Sequence, residues 1–398
     1  MAPSSWTIQF HIPDCYYQKH SVVEKMSQKL KLTSAAAVVA ASIAAPAAAE
    51  LRYENGSGGW LRLYGQFNPS ITRVDDGQQT ETNVTDSSIS ASRIGVRGAQ
   101  DFGANTFLFR FESSLNLPGS ADIDQNGRNT SGWSRENIRY VDFALRGSYG
   151  TFSAGQGSMA ADGATSVDLS YVSEVLNSAT TDVNDSFIFR NPNGALNGPT
   201  VGSTFGTFDG SRRGRVRYDT PEFNGFTAAV AYGKNVLSST DDDDYYDVAL
   251  NYAKDFGGVE FAAAIAYSVR DRSNGAKRSD TVGSASVKLQ NGLSFTMAAG
   301  QRSDDAAGAT DPNYVYGKIA YEQDWFSIGE TGIGIHYKDG SDFDTNGSKS
   351  KVIGIGIAQR IDPINADAYF GIQRHEHDST TVSYQDNQSM ILGARWKF

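Results

Sequence analysis

The sequence has 398 residues, with 45 acidic and 35 basic side chains and a net charge of −10. Hydrophobic residues make up 39% of it, and no apolar run beyond residue 50 approaches the ~20 residues of a membrane-spanning helix, so a helical membrane protein is excluded. Cys15 is the one cysteine, which excludes a disulfide scaffold or a cysteine-rich metal protein, and the acidic balance argues against a nucleic-acid binder.

Residues 26–49 are predicted to be a secretory signal peptide. Lys29 and Lys31 precede a run rich in Ala and Val, and three alanines that end at Ala49 form a small-residue cleavage site before Glu50. A buried helix is the alternative, but Pro46 interrupts the run. Because the signal begins at an internal methionine, residues 1–25 are predicted to be a mis-assigned N-terminal extension. Residues 50–398 then form the exported protein.

Apolar and polar side chains alternate along most of residues 60–398. Phe107, Phe109 and Phe111 share one parity, for example, and the same pattern recurs at 259–267 and 351–360. A period of two residues is typical of strands with one apolar face. Sixteen such segments are predicted, at 60–68, 90–98, 106–115, 137–146, 151–157, 212–219, 226–233, 245–253, 259–267, 280–289, 293–301, 313–323, 329–337, 351–360, 366–374 and 389–398.

The connections between these segments alternate between short turns and long polar loops. The turns at 147–150, 254–258 and 290–292 are short, whereas the loop at 158–211 is the longest. An outer-membrane barrel has this pattern, with short periplasmic turns and long external loops. The sequence therefore predicts an all-β fold, a transmembrane antiparallel up-and-down β-barrel of 16 strands whose closure leaves no sheet edge in lipid.

Aromatic residues recur near the ends of the predicted strands, which indicates girdles at the two membrane interfaces, with ordinary strand propensity as the alternative. The residues concerned are Tyr218, Tyr232, Tyr252, Tyr267, Tyr321 and Tyr337. The last segment keeps Met390, Leu392, Ala394, Trp396 and Phe398 on one parity.

Four motifs, in order, resemble those of the Gram-negative general diffusion porins. They are Trp-Leu-Arg-Leu-Tyr-Gly-Gln-Phe at 60–67, Ser-Arg-Ile-Gly-Val-Arg-Gly at 92–98, Leu-Arg-Gly-Ser-Tyr-Gly-Thr-Phe-Ser-Ala-Gly-Gln at 145–156 and Arg-Tyr-Asp-Thr-Pro-Glu-Phe-Asn-Gly-Phe at 217–226. Phe398 after alternating hydrophobic residues is similar to the signal by which the barrel assembly machinery recognises its substrates. The resemblance implies a homotrimeric diffusion channel in the outer membrane, in contact with lipid and lipopolysaccharide and passing small hydrophilic solutes.

The resemblance also implies that loop 158–211 folds inward and narrows the pore as a constriction loop. The loop carries the carboxylates Asp162, Asp168 and Glu174. Apolar residues at 167–176 could form one short helical face that packs on the wall. A loop that stays outside the barrel is the alternative.

Arginines are expected on the wall opposite this loop. Alternation turns Arg62, Arg93, Arg97 and Arg110 inward, and likewise Arg213, Arg215 and Arg217. The resemblance adds Arg139, although its parity is that of apolar residues. A β-bulge, a rim position or an outward Asp142 would each reconcile the two.

A carboxylate face across from an arginine face would create a transverse field that selects solutes by charge. Pairing of the arginines with lumen carboxylates such as Glu112 is the structural alternative. The external loops carry most of the acidic charge, which predicts a weak preference for cations at low salt.

An enzyme is not expected, and no catalytic residue, cofactor or metal ligand is assigned. Residues 50–398 contain His336, His375 and His377, without a nucleophile or a phosphate-binding loop beside them. A metal at His375 and His377 is a weak alternative. The main alternative function is a solute-specific channel, for a sugar through Tyr64, Tyr314, Tyr316 and Tyr369, or for a small anion through Lys288 and Lys318.

Overall fold

The computed structural model describes residues 51–127 and 132–398. The predicted extension, the signal peptide and its cleavage site near Ala49 lie outside the described residues. Within the described ranges, no helix is long and apolar enough to cross a membrane. The helical turns are short 3-10 segments at Ser88–Ser90, Ser120–Asp122, Arg135–Asn137, Tyr171–Glu174, Gly202–Thr204 and Asp362–Ile364.

Strands make up most of the described chain, and they follow in sequence order. They are β1 (Arg52–Glu54), β2 (Trp60–Phe67), β3 (Pro69–Asp75), β4 (Thr80–Asp86), β5 (Arg93–Phe102), β6 (Asn105–Ser114), β7 (Ile138–Gly147), β8 (Gly150–Ser158), β9 (Arg212–Asp219), β10 (Phe226–Lys234), β11 (Asp244–Asp255), β12 (Val259–Asp271), β13 (Lys277–Leu289), β14 (Leu293–Asp304), β15 (Asn313–Phe326), β16 (Gly329–Ser341), β17 (Lys349–Ile361), β18 (Ala366–Asp378) and β19 (Asn387–Lys397).

These strands form one closed antiparallel barrel. β19 pairs with both β2 and β3, so β2 and β3 are one wall strand interrupted at Asn68. β3 pairs with β4 and β2 pairs with β5, so β4 and β5 together form the second wall strand. With β6–β19, the wall has the sixteen strands that the alternation predicts, and this prediction is confirmed. The short β1 pairs with the start of β2.

The two faces of the wall differ as a period of two residues requires. On β16 and β17, Ile333, Ile335, Ile353 and Ile355 point outward and are 37–51% exposed, as expected for side chains that meet lipid. The alternate positions point inward; most of them are glycines or polar residues, and between the strand ends they are buried. The glycine-rich faces of these strands therefore pack toward the barrel interior.

Aromatic residues on the outer face gather near strand ends. The ring centroids of Tyr232 and Tyr246 lie 5.2 Å apart at the ends that carry the long loops, and those of Phe226 and Tyr252 lie 4.5 Å apart at the turn ends. Such rings suit the two interfaces of a bilayer, where an apolar ring body and a polar tip are both accommodated.

Candidate functional site

Loop 158–211 lies inside the barrel, against the inner face of β13–β18. The backbone amides of Val167 and Leu169 donate to Ser284 Oγ (2.9 Å) and Ser286 Oγ (3.0 Å) on β13. His375 Nε2 on β18 lies 3.0 Å from the carbonyl oxygen of Thr180. The loop thus occupies part of the lumen rather than the space outside the barrel.

Apolar side chains of the loop fit into hollows left by inward-facing glycines. Val172, Val175 and Leu176 are at most 1% exposed. A Cβ atom added to Gly371 would lie 2.3 Å from a methyl group of Val175, and one added to Gly356 would lie 2.6 Å from the other. The apolar residues of the loop therefore bind the wall, partly through the 3-10 turn Tyr171–Glu174.

Lys338 on β16 joins two distant parts of this loop. Its side chain is fully buried, and its ammonium group donates to the carbonyl oxygens of Ser178 (3.1 Å), Phe205 (2.6 Å) and Gly206 (3.3 Å). The ring centroid of Tyr314 lies 4.5 Å away. A buried ammonium group is stable only with such partners, so Lys338 holds the middle of the loop and its end on the same strand.

Two of the predicted constriction carboxylates are bound to the wall. Asp168 forms an ion pair with Lys318 on β15, and Glu174 forms one with Arg395 on β19. Asp162 lies near the start of the loop, close to Asp209. Burial and the charge of Asp162 raise the pKa of the loop carboxyl of Asp209 to about 7. The structure thus places Asp168 and Glu174 as anchors of the loop, rather than together in a row that opposes the arginines.

A β-bulge turns Arg139 toward the lumen. Glu112 of β6 pairs with Tyr140 of β7, and Ser113 pairs with Ile138, so Arg139 is the extra residue between them. Its side chain donates to Glu112. The bulge is one of the three ways in which parity and the family motif could agree, and it explains why strict alternation misplaces this arginine.

Glu112 and Asp142 link the arginines of neighbouring strands. Glu112 is fully buried and accepts a hydrogen bond from Tyr64 Oη (2.9 Å). The carboxylate also pairs with Arg93 Nε at 3.7 Å. On β7, Asp142 pairs with Arg215 Nη2 (2.7 Å) and Arg110 Nε (3.6 Å). The guanidinium groups of Arg110 and Arg212 lie 3.1 Å and 5.1 Å from the centroid of the Tyr140 ring. This arrangement holds the arginine side chains along one wall.

Arg213 and Arg217 continue this group along β9. The guanidinium carbon of Arg213 lies 4.2 Å from the centroid of the Tyr245 ring. Arg217 pairs with Asp219 (2.7 Å) and donates to the carbonyl oxygen of Met159 (2.7 Å). Arg62 faces inward on β2, opposite Arg97 in the register. All eight predicted wall arginines thus lie on the inner faces of β2, β5, β6, β7 and β9. We call them the arginine wall: Arg62, Arg93, Arg97, Arg110, Arg139, Arg213, Arg215 and Arg217.

Comparison with known proteins identifies the family. The protein-family model described as Gram-negative porin matches residues 34–380 of this chain. The chain belongs to the Gram-negative porin family. This porin is 28% identical over 238 residues to the major outer membrane protein P.IB of Neisseria lactamica, a match that covers 58% of this chain and 59% of the relative. Family and fold together place this porin in the outer membrane.

Solved structures share the fold of this porin. An anion-selective porin from Comamonas acidovorans superposes with a TM-score of 0.59 at 18% identity and covers 85% of this chain and 100% of its own. OprB of Pseudomonas putida superposes with a TM-score of 0.58 at 9% identity, and the match covers 85% of this chain and 94% of OprB. Outer-membrane expressed OmpT of Vibrio cholerae superposes with a TM-score of 0.56 at 12% identity, and the match covers 87% of this chain and 99% of OmpT. The family and fold are those of a channel rather than of an enzyme.

The histidines of this porin lie under the loop or the rim rather than in an open site. His375 Nδ1 faces the side-chain amide of Asn184 at 3.2 Å, and His336 Nδ1 faces Tyr316 Oη at 3.3 Å. His377 Nδ1 bonds Ser350 Oγ at 2.9 Å, and its Nε2 lies 3.2 Å from Asp344. Each imidazole therefore has protein partners.

Three of the four tyrosines considered for a sugar channel are also covered. Tyr314, Tyr316 and Tyr369 are 1%, 4% and 2% exposed beneath loop 158–211. A solute in the lumen of this porin cannot reach these rings, and they do not form an aromatic track. Their inward parity is correct, but parity does not reveal what packs on top of a side chain.

Sequence reasoning missed Arg212, Arg395 and Lys338. Arg395 and Lys338 could have been found, because each is opposite in parity to an outward aromatic neighbour, Trp396 or Tyr337. Arg212 begins β9 on the outward parity, yet its side chain reaches the ring of Tyr140 on the inner side. Arg212 is the first residue of β9, and alternation does not describe the direction of a side chain at a twisted strand end.

Replacing Gly371 by Ala should loosen loop 158–211 in this porin. The added methyl group would overlap Val175, so the loop must shift from the wall. We expect a lower midpoint of the heat-induced mobility change on gels and more open-channel current noise. Gly317→Ala is the matched control, because an added Cβ there has no neighbour within 4 Å. Equal effects of the two substitutions would contradict this interpretation.

Proposed function

We propose that this chain is a channel for passive diffusion of small hydrophilic solutes and ions across the outer membrane. The observation that carries the proposal is the arginine wall, which lies on β2, β5–β7 and β9, whereas loop 158–211 is attached mainly to β13–β19. Solutes pass between the two. A barrel of this size leaves an aqueous channel that a loop can narrow to a constriction.

The charge at this constriction supports a preference for anions. Glu112 is shared by Arg93 and Arg139, and Asp142 is shared by Arg110 and Arg215, so two guanidinium groups face one carboxylate in each of these described clusters. Asp168 and Glu174, which the sequence assigns to an opposing acidic face, pair with Lys318 and Arg395 instead. The arrangement therefore favours selection by positive potential in the lumen, in place of the weak cation preference predicted from the acidic loops.

Ionic strength separates the two sources of charge. The Debye length falls from about 10 Å at 0.1 M to about 3 Å at 1 M salt, so external loop carboxylates are screened first. We expect the anion preference to be clearest at high salt, with a smaller preference at low salt. The Comamonas acidovorans porin is described as anion-selective, which agrees with this proposal.

Single-channel recording in a planar bilayer with a KCl gradient tests the channel and its selectivity. Large, long-lived current steps are expected, with a reversal potential of the sign set by chloride. Absence of conductance from folded, heat-modifiable protein would overturn the channel function. A cation-selective reversal potential in 1 M salt would leave the channel function intact but overturn the role of the arginine wall.

The partners follow from the same proposal. The channel is a homotrimer, which closure in thirds under voltage would support and a monomeric mass in mild detergent would contradict. Its outer isoleucine faces contact lipid and lipopolysaccharide, and the barrel assembly machinery recognises the segment that ends at Phe398. We also propose that residues 26–49 are removed as a signal peptide. N-terminal sequencing of the exported protein should therefore begin at Glu50.

A channel specific for one solute is the weaker candidate. It would need a binding track in the lumen, and the covered tyrosines do not supply one for a sugar. Lys318 is bound to Asp168 and Lys288 to Glu322, which leaves no dense lysine array on the described wall for a small anion. A barrel enzyme is less favoured still, because each histidine of the described barrel is held by protein partners.

A further inference from the structure

The contact between β19 and the β2–β3 strand is the seam of the barrel. Other neighbouring wall strands follow each other along the chain, whereas these two come from opposite ends of the described sequence. Forming their ladder means joining segments that no local turn holds together, which carries the largest cost in chain entropy and is slow. The seam is therefore the place where the barrel most needs additional contacts.

The ladder at the seam is also interrupted. Its register runs from Gln388 opposite Asp75 to Gly393 opposite Ser70, and it resumes only with Trp396 opposite Phe67. Between these parts lies Asn68, whose side-chain oxygen accepts a hydrogen bond from Tyr369 Oη at 2.7 Å. A side chain of β18 thus binds the interrupted point of the ladder from inside the barrel.

Loop 158–211 contacts the β19 side of the seam from within. The side-chain amide of Asn184 donates to Asn387 Oδ1 at 2.6 Å, and Glu174 pairs with Arg395, which is 2% exposed. Ile391 belongs to the same buried apolar cluster as Val175 of the loop. These contacts are distributed along most of the length of β19.

The same loop contacts the β3 side of the seam. Arg190 Nε lies 2.8 Å from Asp76 Oδ2, just after the end of β3, and both residues are buried. Burial acts to raise the pKa of Asp76, but the hydrogen bond from Arg190 and those from the backbone amides of Gln79 and Gln78 together outweigh it, so the net pKa is lowered. Phe187 and Phe189 pack with Val74 of β3. The loop therefore reaches both strands that meet at the seam.

We infer that loop 158–211 has a second function, independent of transport: it holds the barrel seam closed from the inside. Glu174, Asn184 and Arg190 are the positioning residues of this contact, which we call the internal staple. The staple attaches the last strand to the loop through Arg395 and Asn387, and it attaches the first wall strand to the loop through Asp76.

The substitution Glu174→Gln tests the staple, with Asp168→Asn as its matched control. Both change a loop carboxylate to an amide, and both break an ion pair with a buried wall cation, on β19 in one case and on β15 in the other. In unheated gel samples of refolded protein, we expect Glu174→Gln to lower the folded fraction severalfold more than Asp168→Asn. Equal losses would overturn the inference.

A disulfide across the seam provides the decisive measurement. Ile71 and Leu392 are opposite each other in the β3–β19 register, and residues 50–398 contain no natural cysteine. Once the Ile71→Cys/Leu392→Cys disulfide has formed, the variant that also carries Glu174→Gln should reach the same folded fraction as the disulfide variant without it. An Ile335→Cys/Ile355→Cys disulfide between β16 and β17 should leave the defect unchanged.

Two results would overturn the internal staple: equal rescue by the two disulfides, or rescue by neither. The readout is closure of the barrel and not conductance. Failure of this inference is thus distinguishable from failure of the proposed channel, which the bilayer recordings test.

Discussion

Replacing Lys338 by Met is expected to lower the free energy of unfolding by about 3 kcal/mol, because it leaves buried carbonyl groups without a donor at about 1–3 kcal/mol each. The ammonium group of Lys338 donates to Ser178, Phe205 and Gly206. Met has a similar volume, so the change removes the donor with little loss of packing. Unfolding in urea with detergent-refolded protein measures the effect. We also expect loop 158–211 to become accessible to protease in this variant.

Lys351→Met is the control for this prediction. Lys351 lies on the outer face of the neighbouring strand β17 and is exposed. The same chemical change there should alter the free energy of unfolding by less than about 0.5 kcal/mol. If Lys338→Met were as stable as Lys351→Met, the three carbonyl contacts would not hold the loop, and the attachment would rest on the apolar residues and the other ion pairs.

Changing Arg213 to Glu is expected to reduce the anion-to-cation permeability ratio by at least about fivefold. The substitution changes the charge by two units, and one unit charge acting at ~4 Å in water-like surroundings is already worth about 1 kcal/mol, a factor of about five. Arg213 projects from the inner face of β9 over the ring of Tyr245, whereas its neighbours Arg215 and Arg217 form ion pairs with Asp142 and Asp219. The barrel should therefore fold normally. Reversal potentials in KCl gradients at 0.1 M and 1 M salt measure the change.

Lys351→Glu makes the same change in charge on the outer face of the barrel. It should leave the permeability ratio within experimental scatter at 1 M salt, because lipid and a screening solution separate it from the lumen. An equal effect of both substitutions would mean that the net charge of the protein, and not the arginine wall, sets the selectivity. No effect of either would place the narrowest part of the pore elsewhere.

Together these variants distinguish two sets of charged side chains in the lumen, one that holds the loop and one that acts on passing ions. Lys338, Lys318 and Arg395 carry the charges that hold the loop, and all three are nearly fully buried. The arginine wall carries charges on the side away from most of the attached loop. Because Lys318 and Arg395 are ion-paired and desolvated, they contribute little field to a passing ion. Most guanidinium groups of the arginine wall are partly exposed and remain within its reach.

The sequence alone determined the barrel, because a wall strand has only two sides. One side meets lipid and the other meets the lumen, so the isoleucines of β16 and β17 and the phenylalanines of β6 reveal their orientation by parity. The same rule placed Arg62, Arg93, Arg110 and the three arginines of β9 on the inner face. Short turns and long loops then set the strand count and the direction of the strands across the membrane.

Only the tertiary structure decided where the loop carboxylates and Arg139 lie. Parity says that a residue faces the lumen, but it does not say which segment distant in sequence fills that space, and so Tyr314 and Tyr369 were not recognised as covered. Asp168 and Glu174 pair with Lys318 and Arg395 because the apolar residues of the loop fit the glycine hollows of β16–β18 and bring them there. Arg139 faces inward because a single extra residue in β7 shifts the register, and an alternating pattern carries no signal for such a bulge.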